Sequence, residues 1–210
     1  EGARLCTGEE MQATCTQGTG CGHDSDLVWT SEECTVSVPN TMQLTGIGDL
    51  DTGGNTGKFI EITATADTAD LSIYALGVAN NGGGSDGMEV DELPAISLAA
   101  GASFFVIRDA ATMSSYFGTD TFAAENEGVT WMIDGSASQN GDDAIELFQN
   151  GEVVATFGDI DTDGTGEYWE YKDSFAYNGG DDSWTYPGAN CADNCDSNCD
   201  CGCVYPGTTL

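Results

Sequence analysis

The stretch DDAIELFQNGEVVATFGD (142–159) restricts the fold more than any other part of the chain. Two runs of alternating apolar and polar residues flank Asn150-Gly151, a pair suited to the left-handed positions of a type I′ turn, so the segment reads as a β-hairpin. The same period of two recurs upstream. KFIEITATA (58–66) sets Phe59 and Glu61 on one face and Ile60 and Ile62 on the other, and its β-branched residues suit a strand. VSVPNTMQLTGIG (36–48) leads into a first strand, and DLSIYALGVAN (70–80) is another, closed by the turn NNGGGSDG (80–87). MEVDELPAISLAA (88–100) reads as a strand interrupted at Pro94, which assigns it to a sheet edge. GASFFVIRD (101–109) has the apolar content of a central buried strand, AATMSSYFG (110–118) the spacing of one short helix ending at Gly118, and GVTWMIDG (128–135) is a further strand. About seven short strands separated by turn signals, with little helix between them, predict an antiparallel β-sandwich and disfavour a parallel α/β fold.

Nine cysteines bracket this body without entering it. Cys6, Cys15, Cys21 and Cys34 lie near the start, Cys191, Cys195, Cys199, Cys201 and Cys203 near the end, and none falls between 35 and 190. All nine are disulfide candidates, and their placement predicts staples on weakly packed terminal segments: a cysteine-rich N-terminal segment (1–45), a β-sandwich (46–188) and a cysteine-rich tail (189–210). Zinc is the competing reading. His23 is the sole histidine, and the intervals in CADNCDSNCDCGC do not match the paired C-x₂-C of structural zinc sites. Because the count is odd, one thiol is left over, either for a bridge to another chain or as a buried free cysteine. A chain that starts at Glu1 and is rich in cysteine is expected to be a secreted or cell-surface protein that has lost a signal peptide or another leader. The most apolar stretch, ISLAAGASFFVI (96–107), is shorter than the roughly 20 residues of a membrane-spanning helix, so no membrane insertion is expected.

Four Lys and Arg stand against 36 Asp and Glu, for a net charge of −32. Arg4, Lys58, Arg108 and Lys172 are isolated in the sequence, so there is no basic patch to meet a phosphate backbone or an anionic membrane. The favoured partners are cations, above all Ca²⁺, or a basic protein surface; solubility in salt is the alternative use of such a charge. GDIDTDGTGEYWEY (158–171) sharpens the cation reading. Counted from Asp159, it supplies Asp159, Asp161 and Asp163 at positions 1, 3 and 5, Gly164 at 6, Thr165 at 7, Glu167 at 9 and Glu170 at 12. Those are the ligand positions of a twelve-residue calcium loop, in which alternate side chains converge on one ion and glycine allows the bend. The preceding EVVATFG is a strand, not a helix, so this is an isolated loop between strands, and the alternative is a solvated acidic turn. Tyr168, Trp169, Tyr171, Phe175, Tyr177, Trp184 and Tyr186 form an aromatic group that either presents a carbohydrate platform or packs over one end of the sandwich; its alternation favours packing. No catalytic constellation is legible: there is no phosphate-binding loop and a single histidine.

GKFIEI, ADLSIYAL, LAAGASFFVI and GDDAIELFQNGEVVATFGD, in this order and spacing over 57–177, resemble the lamin-tail domain of secreted microbial proteins. That resemblance implies an immunoglobulin-like sandwich with a structural or binding role and no catalytic residues to carry over. It does not reach either cysteine cluster. The combined expectation is a non-catalytic extracellular structural protein, a self-assembling filament or surface-layer subunit stabilised by disulfides and calcium. Its partners would be copies of itself or other extracellular proteins, with no nucleic acid. Two other classes remain: a monomeric adhesion module for a glycan or a basic protein, and a carboxylate-based hydrolase.

Overall fold

The computed structural model describes residues 38–179, 183–198, 200 and 202–206. The chain divides into two compact units, Glu1–Pro39 and Asn40–Leu210. Cys6, Cys15, Cys21, His23 and Cys34 of the first unit lie outside the described residues, as do Cys199 and Cys201 of the second. The second unit begins ahead of residue 46, because its first strand already starts at Met42.

This unit is an all-β sandwich of two sheets. The larger has the order β5-β4-β2-β1-β8-β9, from Trp131–Ile133, Ser103–Ile107, Gly57–Ala64, Met42–Leu50, Ser174–Asn178 and Trp184–Thr185. The smaller has the order β3-β6-β7, from Tyr74–Ala79, Ala144–Gln149 and Glu152–Phe157. Neighbours are antiparallel except β4 and β5, which pair in parallel. The exception follows from the connection. A helix, α1 (Ala110–Phe117), lies between those two strands in sequence, and a helical crossover returns the chain in the same direction where a hairpin would reverse it. Asp109 caps α1 by accepting from the Thr112 amide at 2.8 Å, and Gly118 ends it in the left-handed conformation, φ +66°.

Alternation divides the core in two. Ile60, Ile62, Phe104 and Val106 face the smaller sheet, where they meet Leu76, Val78, Leu147 and Phe157. Phe59, Phe105 and Ile107 face the other way, onto Met113, Tyr116 and Phe117 of α1 and onto Ala192 and Tyr205 of the C-terminal segment. The larger sheet is therefore covered on both faces, and the unit has three layers. A bulge at Thr45 shifts the β1 register between Leu44 and Gly46, and this one-residue change of parity lets Leu44 and Ile47 reach the same core. The hairpin of β6 and β7 turns at Asn150 (φ +51°) and Gly151 (φ +85°), as the sequence predicts. The strand expected over 88–100 does not form. That segment makes only single bridges, Leu76 with Val90 and Thr68 with Leu98, because Pro94 has no amide hydrogen to continue a ladder.

The cysteine-rich C-terminal segment is part of the fold. Cys191 and Cys203 form a disulfide with a Cα separation of 6.1 Å, and Cys195 is also disulfide-bonded. Asn198, inside the loop thus closed, and Tyr205, two residues beyond it, exchange two hydrogen bonds: Asn198 Nδ2 donates to the Tyr205 carbonyl at 3.0 Å and the Tyr205 amide donates to Asn198 Oδ1 at 2.8 Å.

Candidate functional site

The acidic loop that follows β7 is stitched to its surroundings by backbone. The Gly164 amide donates to the Asp142 carbonyl at 2.9 Å, and the Gly84 amide to the Ile160 carbonyl at 2.9 Å. Its carboxylates are turned toward the loop's own amides. Asp159 accepts from the Asp161 amide at 3.0 Å and from the Thr162 hydroxyl at 3.0 Å, Asp163 from the Thr165 amide at 2.9 Å, and Glu170 from the Gly166 amide at 2.9 Å. The bond from Thr165 holds the Asp163 carboxyl below its ordinary value. Thr165 Oγ1 donates at 3.0 Å to Asp142, a residue outside the twelve-residue pattern. Asp161 and Glu167 are exposed on the same loop. Among the described residues, no three or more Asp, Glu, Cys or His side chains are gathered so as to hold a metal ion. The sequence assigns the bend to Gly164, but the left-handed residue is Gly166, φ +79°. Gly164 is needed for a different reason: a Cβ there would come within 2.6 Å of the Trp169 ring. The loop thus rests on an aromatic floor, and its ligand-type side chains lie on an exposed rim.

Buried charged side chains tie distant segments together, those of Lys58, Asp143 and Glu61 among them. Lys58, 3% exposed at the start of β2, donates from Nζ to Asp49 Oδ1 at 2.8 Å on the neighbouring strand β1, to Asn140 Oδ1 at 3.3 Å, and to the Gln139 carbonyl. Burial raises the Asp49 carboxyl above its ordinary value against the lowering effect of Lys58. A polar cleft of about 420 Å³ opens beside this group, lined by Asp51, Asn140, Asp142, Lys172 and Asp173 as well as Asp49. Asp143 is a second tie. It accepts from the Asn81 amide at 2.9 Å and the Asn140 amide at 2.8 Å, which fixes the loop after β3 to the segment before β6; burial raises its carboxyl.

Glu61 is a third. Its carboxylate, buried on the α1 side of the larger sheet, accepts from the Tyr205 hydroxyl. Burial raises Glu61, with hydrogen bonds from Ser103 and Tyr205 pulling the other way, and burial also pushes the Tyr205 phenol well above its ordinary value. The hydroxyl fits over β1 only because Gly46 has no side chain, since a Cβ there would overlap it. The Tyr205 ring packs edge-on against Phe59 at 4.9 Å and Phe175 at 5.2 Å. Sequence alternation places Glu61 on the face of Phe59, and a carboxylate on so apolar a face is the available signal that it has a buried donor. Nothing local announces that the donor is Tyr205, or that Lys58 has three acceptors.

The seven aromatic residues of 168–186 are divided between the layers. Phe157 gathers Trp169 at 5.9 Å, Tyr171 at 5.4 Å, Trp184 at 4.6 Å and Tyr186 at 6.1 Å on the inter-sheet side. Phe175 and Tyr177 lie on the other side with Tyr205. Tyr168, 78% exposed, meets Tyr186 edge-on at 5.5 Å. Packing accounts for the group apart from Tyr168. No helix among the described residues is long and apolar enough to cross a membrane. In comparisons with known proteins, no family model matches the chain and no curated protein matches it significantly.

Proposed function

We propose that this chain is a non-catalytic extracellular structural module of lamin-tail type, which assembles with copies of itself and uses calcium on its acidic loops. The observation that carries this reading is the C-terminal segment. Its Tyr205 completes an aromatic core, and the Cys191–Cys203 disulfide closes the loop that delivers it. A core finished by a disulfide-closed segment suits an oxidising, extracytoplasmic compartment. The buried polar ties also spend their charged groups on joining distant segments, which suits a load-bearing role. Calcium enters through charge: copies with a net charge of −32 repel one another, and divalent ions between the exposed carboxylates of 159–170 would remove that barrier.

Sedimentation velocity and electron microscopy of the purified chain, in millimolar Ca²⁺ and in EDTA, test the reading. Calcium-dependent oligomers or filaments are expected, with a higher melting temperature in calcium. Identical sedimentation and identical melting in the two buffers would overturn the calcium assignment, and a monomer at every concentration would overturn assembly. A monomeric module that recognises a basic protein is the second reading. The cleft lined by Asp51, Asp142 and Asp173 favours it, because a Lys or Arg side chain entering there would meet several carboxylates.

A further inference from the structure

Lys58, Asp49 and Asn140 are three groups whose chemistry can go beyond a salt bridge. From their arrangement we propose that Lys58 and Asn140 form an intramolecular isopeptide bond, with Asp49 as the proton carrier. This inference is independent of the assembly reading above.

All three protons of the Lys58 ammonium are directed, one to Asp49 Oδ1 at 2.8 Å, one to the Gln139 carbonyl and one to Asn140 Oδ1 at 3.3 Å. The amine is held in one orientation, and the Asn140 amide carbon lies one bond beyond the oxygen it contacts. The side chain of Lys58 is 4% exposed and that of Asp49 14%. Asp49, in contact with Nζ and also withdrawn from water, is the group placed to take a proton from it. The raised Asp49 carboxyl is consistent with that transfer. Fixed orientation supplies the proximity that an amide, a poor electrophile, requires.

The step balances without any co-reactant. Asp49 takes a proton from the Lys58 ammonium, and the free amine attacks Cγ of Asn140. The Nζ–Cγ bond forms, and Asp49 relays a proton from Nζ to Nδ2. The Cγ–Nδ2 bond then breaks, and the nitrogen departs as ammonium with the proton first taken from Lys58, which returns Asp49 to its carboxylate. The adjoining cleft gives the leaving group a path to solvent. Asn140 is exposed at the mouth of that cleft while Lys58 is deep, so the bond would pin the segment before β6 to strand β2 across 82 residues of chain. It would join the smaller sheet to the larger by a covalent tie that reduction cannot open.

Intact-mass spectrometry of the folded chain, with disulfides reduced and alkylated, tests the proposal. The expected result is a deficit of about 17 Da, one ammonia, relative to the sequence mass. Proteolysis followed by tandem mass spectrometry should yield one branched peptide that contains both Lys58 and Asn140. Asn140→Ser, a change at an exposed position that keeps the backbone amide bonded to Asp143, should restore the full sequence mass. Asp49→Asn, which keeps the shape and removes the proton carrier, should leave most of the chain unlinked. A wild-type mass without the deficit would overturn the proposal. So would a deficit that persists in Asn140→Ser, or one of about 18 Da, which marks loss of water in a bond to Asp49 instead.

Discussion

Glu61 illustrates what a single residue decides in this fold. It is 4% exposed, and the phenol that supports it arrives from a residue 144 positions away. Removing that hydroxyl by Tyr205→Phe keeps the ring among Phe59, Phe117 and Phe175 but takes one donor from a buried carboxylate, a loss of about 1–3 kcal/mol. Urea unfolding should show a lower midpoint with an unchanged slope, since the surface exposed on unfolding hardly changes. A midpoint equal to that of wild type would mean that Ser103 alone satisfies Glu61. At this scale the sequence was half legible. The alternation of KFIEI correctly pairs Phe59 with Glu61 and Ile60 with Ile62, because strand parity is a local property. Lys58 reads as isolated for the converse reason: its partners Asp49, Gln139 and Asn140 converge only when β1, β2 and the segment before β6 are in place.

Among the elements, those with local instructions were legible. The Asn150-Gly151 hairpin, the α1 helix between Asp109 and Gly118, and the buried strand β4 carry their own turn, cap or apolar run. The third layer was not legible, because nothing in CADNCDSNCDCGC states which face of which sheet it covers. The consequence of that layer is measurable. The Cys191–Cys203 disulfide spans a sequence separation of 12, and closing a loop of that size stabilises the folded chain by about 3 kcal/mol in the chain-entropy account. Cys203→Ser is therefore expected to lower stability by about that amount. The variant should also bind more of a dye such as ANS under native conditions, as Tyr205 lifts from Phe59, Phe117 and Phe175. Unchanged dye binding together with unchanged unfolding would show that the aromatic contacts hold the segment without its staple. The acidic loop lies between these cases. Its ligand spacing is plain in the sequence, but its amides already occupy Asp159, Asp163 and Glu170, so an ion would have to displace those bonds in order to gather the carboxylates.

For the molecule as a whole, the carboxyls fall into two opposed sets, and their balance determines how stability follows pH. Glu61 and Asp143 are raised in the fold, chiefly by burial. A raised carboxyl binds its proton more tightly folded than unfolded, so its contribution is fully present below the unfolded value and is lost as pH rises through the folded one. Asp70, Asp109 and Asp163 are lowered by hydrogen bonds from Ser72, Thr112 and Thr165. Their contribution is present above the unfolded value and is lost as pH falls through the folded one, below 3.8. Between the two, protonation also reduces the self-repulsion of a chain with a net charge of −32. Lowering the pH from about 7 to about 5 should therefore raise the melting temperature, and further acidification below about 3.5 should lower it again as the turn and cap carboxylates are neutralised. Calorimetry across this range in EDTA, with and without 0.5 M NaCl as a screen, separates the contributions. Salt weakens the surface repulsion and leaves the buried carboxyls largely unscreened, so part of the rise toward pH 5 should survive in high salt. A rise abolished by salt would assign the whole effect to net charge. A melting temperature that falls steadily from pH 7 downward would mean that the hydrogen-bonded surface carboxylates outweigh Glu61 and Asp143.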